Sequence, residues 1–415
     1  MPIAPARRRL LTAVAVIVAL LIAAGGVLGV GLMRGWFDSG TVEGTTEGFE
    51  PEAAPQVSEE PGSWPEYGYN PERTRANTAL TGLRPPYRRV WAYDAGSLVE
   101  FSPVLADGRA IFGTNHKRAV ALDLETGREL WSHTLRGRIA SSPAIAGDLA
   151  IFTSIRGEVI AFDAATGRRV WERRFGAAIE SSPLVIGESF YIGTLSGRVL
   201  RMAVANGRIQ WSAQAKGDVK SSLARAGANV VVGDYGGHIN AFRMSDGALV
   251  WQRESPGTRL SGAGRFYAGP AVAYGRIYLG NINGRMLAMD ADTGRTAWVR
   301  VFDDYIYASA AIADRLVYVG SYDTRFYALD AVTGRVRWAF DAGERISGSA
   351  TVIGDVVYVS TIARNPPDGR TFMLDARTGR RLATFPDGRY SPAVAADEDL
   401  LVLTGVNTVY GLRPR

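Results

Sequence analysis

Short hydrophobic runs separated by polar turns fill most of the chain and predict β-strands rather than helices. In residues 138–173, the apolar runs PAI, LAIFT, EVIAF and RRVW alternate with turns rich in Gly, Asp and Thr. No helical spacing is sustained beyond a few residues. Runs of this length bounded by turn residues are typical of strands. We therefore expect four short strands per unit of 40 residues, arranged up and down.

The unit repeats with a nearly constant period, and self-similarity of this kind indicates a repeat architecture. The phrase ALDLETGRELW at 121–131 returns as AFDAATGRRVW, AMDADTGRTAW and ALDAVTGRVRW. Successive tryptophans are 40 residues apart except for one step of 47. One degenerate copy places Ala383 at the tryptophan position. The repeat residues are Trp91, Trp131, Trp171, Trp211, Trp251, Trp298 and Trp338, with Gly127, Gly167, Gly207, Gly247, Gly294, Gly334 and Gly379.

The conserved spacing within the unit assigns each residue a structural task. The Asp-x-x-Thr-Gly piece is the loop between the third and fourth strands, because Asp can accept hydrogen bonds from nearby backbone N–H groups and Gly can adopt positive φ. The tryptophan then lies on the outermost strand, where its ring can fill the wedge between adjacent sheets. Burial of an aromatic ring of this size covers roughly 150–250 Å².

Four-stranded sheets repeated around an axis predict an all-β fold, a β-propeller. The repeats begin with YRRVWAYD, a fourth strand without its first three, and end at 390–415 with three strands that lack a fourth. Pairing these two fragments makes a composite blade that closes the ring and removes an exposed sheet edge. With seven whole blades between them, the total is eight. Seven blades is the alternative if one weak copy is misread.

The N-terminal residues predict the location of the protein. Residues 1–9 carry three arginines, and residues 10–33 form an uncharged apolar run of 24 residues, against the roughly 20 needed to span a membrane. Arginines before the run predict a single-pass signal anchor in the cytoplasmic membrane, with the N-terminus inside and the propeller extracytoplasmic. A cleaved signal peptide is the competing interpretation, and it would make the protein secreted.

Residues 34–63 are expected to form an acidic, disordered linker between this anchor and the propeller at 64–415. The stretch 35–63 has seven acidic residues, no basic one, and many Gly, Pro, Ser and Thr residues, a composition that cannot bury a core. The formal charge of +6 divides into +4 for 1–34, −7 for 35–63 and +9 for 64–415.

The charge and the cysteine count exclude several classes of function. The sequence has no run of basic residues interleaved with aromatics, the pattern that would indicate nucleic-acid binding. The chain has no cysteine, which excludes disulfides, a lipid-anchored cysteine, c-type haem attachment and a cysteine nucleophile. The three histidines have no metal-ligand spacing, and the adjacent Asp303 and Asp304 are expected to be solvated rather than to bind a cation.

The motif A-x-D-x-x-T-G-x-x-x-W resembles the tryptophan-docking repeat of the pyrroloquinoline-quinone-like (PQQ-like) β-propellers. The segment WPEYGYNPERTRAN at 64–77 is similar to the lead-in found before the first blade of such proteins. The resemblance covers 64–415 and implies the propeller fold. It leaves the activity open, because the superfamily includes quinoprotein dehydrogenases and non-catalytic, BamB-like members that assist outer-membrane assembly.

The resemblance to quinoprotein dehydrogenases implies features that this sequence largely lacks. Those enzymes hold the quinone between a tryptophan and often a vicinal disulfide, and they add Ca²⁺ and a catalytic Asp. Here a disulfide is impossible, and every tryptophan apart from Trp36 and Trp64 belongs to a docking position. The longest insertions, seven residues in 252–268 and about five around 363–370, are short. We therefore expect no catalytic, cofactor or metal residues.

The remaining candidate is the rim of the central channel, formed by the positions just before each innermost strand. Aligned on the repeat, these positions bring both charges and two tyrosines to one face, and Tyr and Arg are favoured at interface hot spots. Residues one or two positions further in are small, which suits eight strands crowding towards an axis. The candidate rim residues are Glu100, Glu180, Lys220, Tyr267, Tyr307 and Arg389.

The sequence therefore predicts a non-enzymatic, membrane-tethered scaffold that binds its partner through the rim. The expected partner is another envelope protein or a peptide, and the propeller is expected to be monomeric. Two alternatives stay open: a PQQ-dependent quinoprotein oxidoreductase and an extracellular binder of a small ligand.

Overall fold

The computed structural model describes residues 41–46, 49–50, 63–257, 262–362, 369–388, 390, 393–395 and 399–415. Within these ranges, nothing helical reaches the length and apolar character that a membrane span requires. The predicted signal anchor at 10–33 lies outside the described residues, as does most of the predicted linker.

Eight antiparallel four-stranded sheets form the ring, which confirms the eight-bladed prediction. Before the first whole blade lie β1 (Ala76–Asn77) and β2 (Tyr87–Asp94). Blades 1 to 4 contain β3 (Val104–Ala106), β4 (Arg109–Gly113), β5 (Arg118–Asp123), β6 (Glu129–Thr134); β7 (Ala144–Ala146), β8 (Leu149–Thr153), β9 (Glu158–Asp163), β10 (Arg169–Arg174); β11 (Leu184–Ile186), β12 (Ser189–Gly193), β13 (Arg198–Ala203), β14 (Ile209–Gln214); and β15 (Ala224–Ala226), β16 (Asn229–Gly233), β17 (His238–Arg243), β18 (Leu249–Glu254).

The second half of the chain continues the same order. Blades 5 to 8 contain β19 (Ala271–Ala273), β20 (Arg276–Gly280), β21 (Arg285–Asp290), β22 (Thr296–Val301); β23 (Ala311–Ala313), β24 (Leu316–Gly320), β25 (Arg325–Asp330), β26 (Val336–Asp341); β27 (Thr351–Ile353), β28 (Val356–Ser360), β29 (Thr371–Asp375), β30 (Arg381–Phe385); and β31 (Ala393–Ala395), β32 (Leu401–Thr404), β33 (Thr408–Pro414).

Blade 8 is the composite blade that the two ends of the repeat predict. Its outermost strand is β2, which pairs antiparallel with β33, so that Trp91 faces Gly411. The innermost strand β31 contacts both β27 and β3, and this contact closes the ring. Blade 7 gains a fifth strand that the sequence does not predict, because β1 pairs parallel with β27.

The core is divided among the seams between neighbouring blades, where alternate strand residues from two sheets interdigitate. The second and third strands are buried on both faces, for example Phe112, Val120 and Leu122 in blade 1. The fourth strands alternate between exposed residues and one buried tryptophan. Stability thus comes from contacts between adjacent blades, as in other repeat proteins.

The repeat tryptophans and glycines form these seams together. Each indole lies against the turn glycine of the next blade, and a Cβ on that glycine would come within 2.5–2.7 Å of the ring at all seven positions. The glycines also adopt positive φ, between 66° and 76°, as the turn predicts. Glycine is therefore required twice, once by the backbone conformation and once by the indole.

The indole N–H groups add a second repeated contact. Trp171 Nε1 donates to the carbonyl of Val204 at 2.8 Å, and Trp91, Trp131, Trp211, Trp298 and Trp338 make equivalent bonds. Trp251 Nε1 is buried without a partner among the described residues, and we have no physical account of this exception. The turn aspartate is held as predicted, since Asp123 Oδ1 accepts from the backbone N–H of Thr126 at 2.8 Å.

Candidate functional site at the hub of the propeller

The loops that precede the innermost strands bring the predicted rim residues together at one end of the channel. Glu100, Glu180, Lys220, Tyr267 and Tyr307 all line a single axial cavity. They come from five different blades, and each is partly exposed. Arg389, the sixth predicted rim residue, lies outside the described residues, although its neighbour Tyr390 also lines the cavity.

The cavity is small. Its volume is about 80 Å³, whereas sites for drug-sized ligands typically enclose about 300–1,000 Å³. The space suits one side chain or a chain terminus that projects from a larger partner. A flat tricyclic quinone does not fit a space of this size.

Charged residues form one half of the rim. The guanidinium of Arg138 lies 3.6 Å from carboxylate oxygens of both Glu100 and Glu180. The ammonium of Lys220 lies 2.8 Å from the carboxylate of Glu180. Burial raises the pKa of Glu100, and the charge of Arg138 opposes this effect. The acidic groups of the rim are thus already paired within the protein.

Tyrosines form the other half of the rim. The rings of Tyr267 and Tyr307 meet edge to face at 5.2 Å, and Tyr322 lies 4.8 Å from Tyr307. The Lys220 ammonium lies 4.5 Å from the centre of the Tyr267 ring, a cation–π geometry that joins the two halves. Burial raises the pKa of Tyr267 to about 12, so its hydroxyl is neutral and can donate a hydrogen bond at physiological pH.

The lead-in segment closes the channel beneath the cavity. We call residues 64–77 the axial belt, because they contact the innermost strands of blades 1 to 7 in order. Backbone bonds join Trp64 to Leu105 in blade 1, and Ile145 N to Pro65 O in blade 2. In blade 3, Val185 N donates to the Glu66 carboxylate at 3.1 Å. The remaining bonds are Arg225 N to Pro71 O, Val272 N to Glu72 O, Ile312 N to Thr74 O and Val352 N to Arg75 O.

Tyr67 of the axial belt forms the floor of the cavity. Its hydroxyl lies 3.2 Å from Ser309 Oγ and 3.3 Å from Ser349 Oγ. The Arg75 guanidinium lies 4.5 Å from the centre of the ring. Burial raises the pKa of Tyr67, but Arg75, the two serine hydroxyls and Arg73 together outweigh it, and the net pKa is lowered. The Arg75 guanidinium therefore places a positive charge close to the Tyr67 ring at the floor of the cavity.

A ring of serines lies at the level of this floor. Four serine hydroxyls accept a bond from a backbone N–H of the previous blade: Ser142 N to Ser182 Oγ, Ser182 N to Ser222 Oγ, Gly269 N to Ser309 Oγ and Ser309 N to Ser349 Oγ, at 2.9–3.1 Å. In blade 5 the position is Gly269, which offers no hydroxyl to Ser222 N. A Cβ there would lie 3.7 Å from that nitrogen, and its absence widens the cavity beside Lys220.

Other candidate chemistry does not converge on the hub. Among the described residues, no group of three His, Cys, Asp or Glu side chains could hold a metal ion. The carboxylate of Asp304 accepts a bond from its neighbour Tyr305 N at 2.8 Å. The cavity size and the internally paired carboxylates Glu100 and Glu180 do not fit the quinone and Ca²⁺ of the dehydrogenases.

Two parts of the hub carry little signal in the sequence. The serine positions are predicted only as small residues, yet their hydroxyls link neighbouring blades. The lead-in at 64–77 is noticed only as a family feature, yet ten of its residues are buried, including Glu66, Arg73 and Arg75. A buried acidic and basic pair within one short segment is the one clue present, because Glu66 and Arg73 form an ion pair at 3.0 Å.

Comparison with known families and structures places this geometry in context. The sequence model of a family described as outer membrane protein assembly factor BamB matches residues 84–154, 116–309 and 304–415. No match was found among curated protein sequences.

Several solved structures share the fold. BamB from Moraxella catarrhalis has a TM-score of 0.65 and 18% identity, over 79% of this chain and 100% of that one. Quinohemoprotein alcohol dehydrogenase from Comamonas testosteroni has a TM-score of 0.72 and 16% identity, over 85% and 80%. A europium-containing methanol dehydrogenase has a TM-score of 0.73 and 14% identity, over 86% and 99%. At these identities the likeness shows the fold alone.

Proposed function

Because this chain belongs to the BamB-like family of PQQ-like β-propellers, we propose that it is an extracytoplasmic scaffold whose hub rim binds a protein partner. The observation that carries this proposal is the axial cavity. Five blades each supply one side chain to a space of about 80 Å³, which accepts one side chain but is too small for most free ligands.

The chemistry of the rim supports a protein partner. Tyrosine is enriched at the centres of interfaces, and partly exposed tyrosines with raised pKa values present both an apolar ring and a hydroxyl donor. The Lys220–Glu180 pair can exchange one internal contact for one with a partner. The Lys220 ammonium on the rim and the Arg75 guanidinium beside Tyr67 favour a partner group that carries negative charge.

A crosslinking experiment tests this site directly. A photoreactive phenylalanine analogue at Ser347, which lines the cavity, is expected to capture one protein reproducibly in the cell envelope. The matched control places the same analogue at Leu249, on the exposed outer edge of blade 4. Capture that is equal at the two positions, or that survives simultaneous alanine substitution of Lys220, Tyr267 and Tyr307, contradicts the proposal.

We propose further that the hub performs no catalysis. This proposal is supported by the size of the cavity and by the ion pairs that occupy Glu100 and Glu180. Structural similarity to quinoprotein dehydrogenases favours the alternative, an oxidoreductase that depends on PQQ. Adding PQQ and Ca²⁺ to the purified full-length protein separates the two: we expect neither quinone absorbance in the protein fraction nor a rise in melting temperature, and either result would favour the enzyme.

We also propose that residues 10–33 anchor the protein in the cytoplasmic membrane. The support is the uncharged apolar run after the arginines at 7–9. The protein is expected to remain in the membrane pellet after carbonate washing and to be digested by protease added from outside. Substituting Val18 and Leu21 by arginine should release it into the soluble fraction. Release of the wild-type protein by carbonate alone would instead indicate cleavage.

A further inference from the structure

The first described part of the predicted linker lies on the propeller. We call residues 41–46 and 49–50 the strap, because they cross the outer edges of blades 5 and 6. Val42 pairs antiparallel with Val299 of β22 through two backbone bonds, Val42 N to Val299 O at 2.8 Å and Val299 N to Val42 O at 3.0 Å. Because β22 is the outermost strand of blade 5, the strap adds one residue of strand to an open sheet edge, the geometry of β-augmentation.

Gly44 fits a position where no other residue has room. Its N–H donates to Thr333 O at 3.2 Å. A Cβ at Gly44 would lie 2.4 Å from Val332 O and 2.7 Å from Cδ1 of Trp298. Trp298 is correspondingly 0% exposed, whereas the five repeat tryptophans from Trp91 to Trp251 are 6–9% exposed. The strap therefore covers the seam between blades 5 and 6.

Phe49 lies in a pocket of aromatic and cationic groups. Its ring is 5.2 Å from the ring of Tyr274. The guanidinium carbons of Arg276 and Arg315 lie 5.2 Å and 5.3 Å from the ring centre. Arg276 also donates to Thr45 O at 2.7 Å, and Glu50 N donates to Tyr274 O at 3.2 Å. Backbone and ring are thus both held at this point.

The charges of the strap and of its site are complementary. Glu43 forms an ion pair with Arg335 at 2.6 Å, and Arg300 also lies near its carboxylate. Together with Arg276 and Arg315, four arginines face an acidic segment. Asp330 of blade 6 is occupied by its own turn, where its Oδ1 accepts from Thr333 N at 2.8 Å.

Apolar surface near the site remains exposed beside the described part of the strap. The strand β22 has six residues; among the described strap residues, Val42 pairs with Val299, and Thr41 Oγ1 accepts a bond from Val301 N at 3.3 Å. Val301 and Val336 are exposed nearby, and Val42 itself is 50% exposed. A longer extended segment would make more backbone bonds along the same edge and bury this apolar surface.

We propose that the edge of blades 5 and 6 is a docking site for an extended acidic peptide of a partner protein, and that the strap occupies it as an internal ligand. The peptide carries a β-branched residue and an acidic residue followed by glycine, with a phenylalanine five positions beyond the glycine. Because the strap is attached to the propeller, its effective concentration is high, and the partner gains access by pairing with more of β22. The proposal is independent of the rim.

The test uses the full-length protein and a fluorescent synthetic peptide, TVEGTTEGFE, with the sequence of residues 41–50. Gly44→Val in the protein should expel the strap, because its Cβ meets Val332 O and Trp298. This variant is expected to bind the peptide at least about tenfold more tightly than the wild-type protein, measured by anisotropy. Thr46→Val, at an exposed position of the strap, is the matched control and should behave as wild type.

A second variant identifies the edge. Both the N–H and the C=O of Val299 bond to Val42, so the N–H is not used inside the sheet, and proline is tolerated at such edge positions. Gly44→Val combined with Val299→Pro should therefore stay folded by circular dichroism and lose peptide binding. A folded Gly44→Val variant that does not bind the peptide overturns the proposal, and so does equal binding by the wild type or by the double variant.

Discussion

The seams between the blades repeat one arrangement, whereas the rim of the hub varies: five blades supply two glutamates, one lysine and two tyrosines. At seven seams an indole lies on a turn glycine, and a Cβ added to that glycine would come within 2.5–2.7 Å of the ring each time. At the rim the corresponding positions hold Glu100, Glu180, Lys220, Tyr267 and Tyr307. The repeated Trp–Gly contacts are those that every blade needs in order to pack. The variable rim residues lie where the ring as a whole can bind a partner.

The eighth seam shows that the tryptophan occurs only where the facing blade offers a turn glycine. Ala383 replaces the tryptophan in blade 7, and the blade that it faces has no Asp-x-x-Thr-Gly turn. The third and fourth strands of blade 8, β33 and β2, come from opposite ends of the repeat and cannot share such a turn. The tryptophan and its docking partner are thus absent together.

The largest expected effect comes from breaking a seam. Trp171 is buried, and its Nε1 donates to Val204 O at 2.8 Å. Trp171→Ala should lower the free energy of unfolding by about 3–5 kcal/mol, because it removes a buried ring and leaves a cavity. Guanidinium denaturation followed by circular dichroism measures this. A loss below about 1 kcal/mol would show that the indoles are not the principal seam contacts.

The next effect separates the two requirements on the turn glycine. Gly207 has φ of 66° and would place a Cβ 2.7 Å from the Trp171 ring, whereas Gly187 has φ of 57° and nothing within 4 Å. Gly187→Ala should cost about 1 kcal/mol from backbone strain alone, and Gly207→Ala about 1–3 kcal/mol more from overpacking. In a Trp171→Ala background the excess at Gly207 should disappear, as a double-mutant cycle would report. A persistent excess would assign the cost to the backbone.

At the hub we expect function to change more than stability. Lys220→Met removes one partner of Glu180 in a largely buried ion pair, whose side chains are 21% and 12% exposed. Because Arg138 still lies 3.6 Å from the Glu180 carboxylate, the loss should stay below the about 3–5 kcal/mol of an uncompensated buried charge. Denaturation should therefore shift less than in the seam variants, while crosslinking from Ser347 is lost. Lys216→Met, at an exposed lysine outside the cavity, is the matched control and should retain crosslinking. Equal loss in both variants would remove the rim from the binding site.

The smallest effect is a difference in pH dependence between turn and hub acids. Hydrogen bonds from Thr126 lower the pKa of Asp123, so its contribution to stability is present above the ordinary pKa of about 3.9 and is lost as pH falls through the folded value. Burial raises the pKa of Glu100, so its contribution is lost as pH rises through the folded value.

These opposite signs can be read from melting curves between about pH 3 and pH 7. Asp123→Ala should lower the melting temperature at pH 7 and reduce the loss on acidification. Glu100→Gln should leave the melting temperature at pH 7 unchanged or slightly higher. A drop at pH 7 for Glu100→Gln would mean that the Arg138 pair outweighs burial.

The sequence reveals the periphery because its contacts depend on side-chain identity. A tryptophan and a glycine at fixed spacing predict the seam, and the incomplete first and last copies predict the composite blade 8. The sequence predicts only one of the two reasons for glycine in the turn. The positive φ follows from turn chemistry, but the close approach of the indole does not, because the indole belongs to another blade.

The hub is predicted less completely because its contacts depend on the backbone. Alignment of the repeat units predicts that Glu100, Glu180, Lys220, Tyr267 and Tyr307 lie together, and in the structure they line one cavity. The axial belt is missed because it is held mostly by backbone groups, which any sequence possesses. The strap is missed because an acidic composition predicts disorder, while the arginines that it meets lie more than 200 residues away.

The axial belt also constrains the order of assembly. Residues 64–77 leave the ribosome before any blade, yet their partners are distributed from Leu105 in blade 1 to Val352 in blade 7. The complete set of bonds can form only after blade 7 has been synthesised, and blade 8 then needs the residues that follow the belt. The earliest segment of the propeller is consequently among the last to reach its final place, and a chain that ends before blade 7 leaves the buried Arg75 without Ala350 O, which accepts a bond from its Nε.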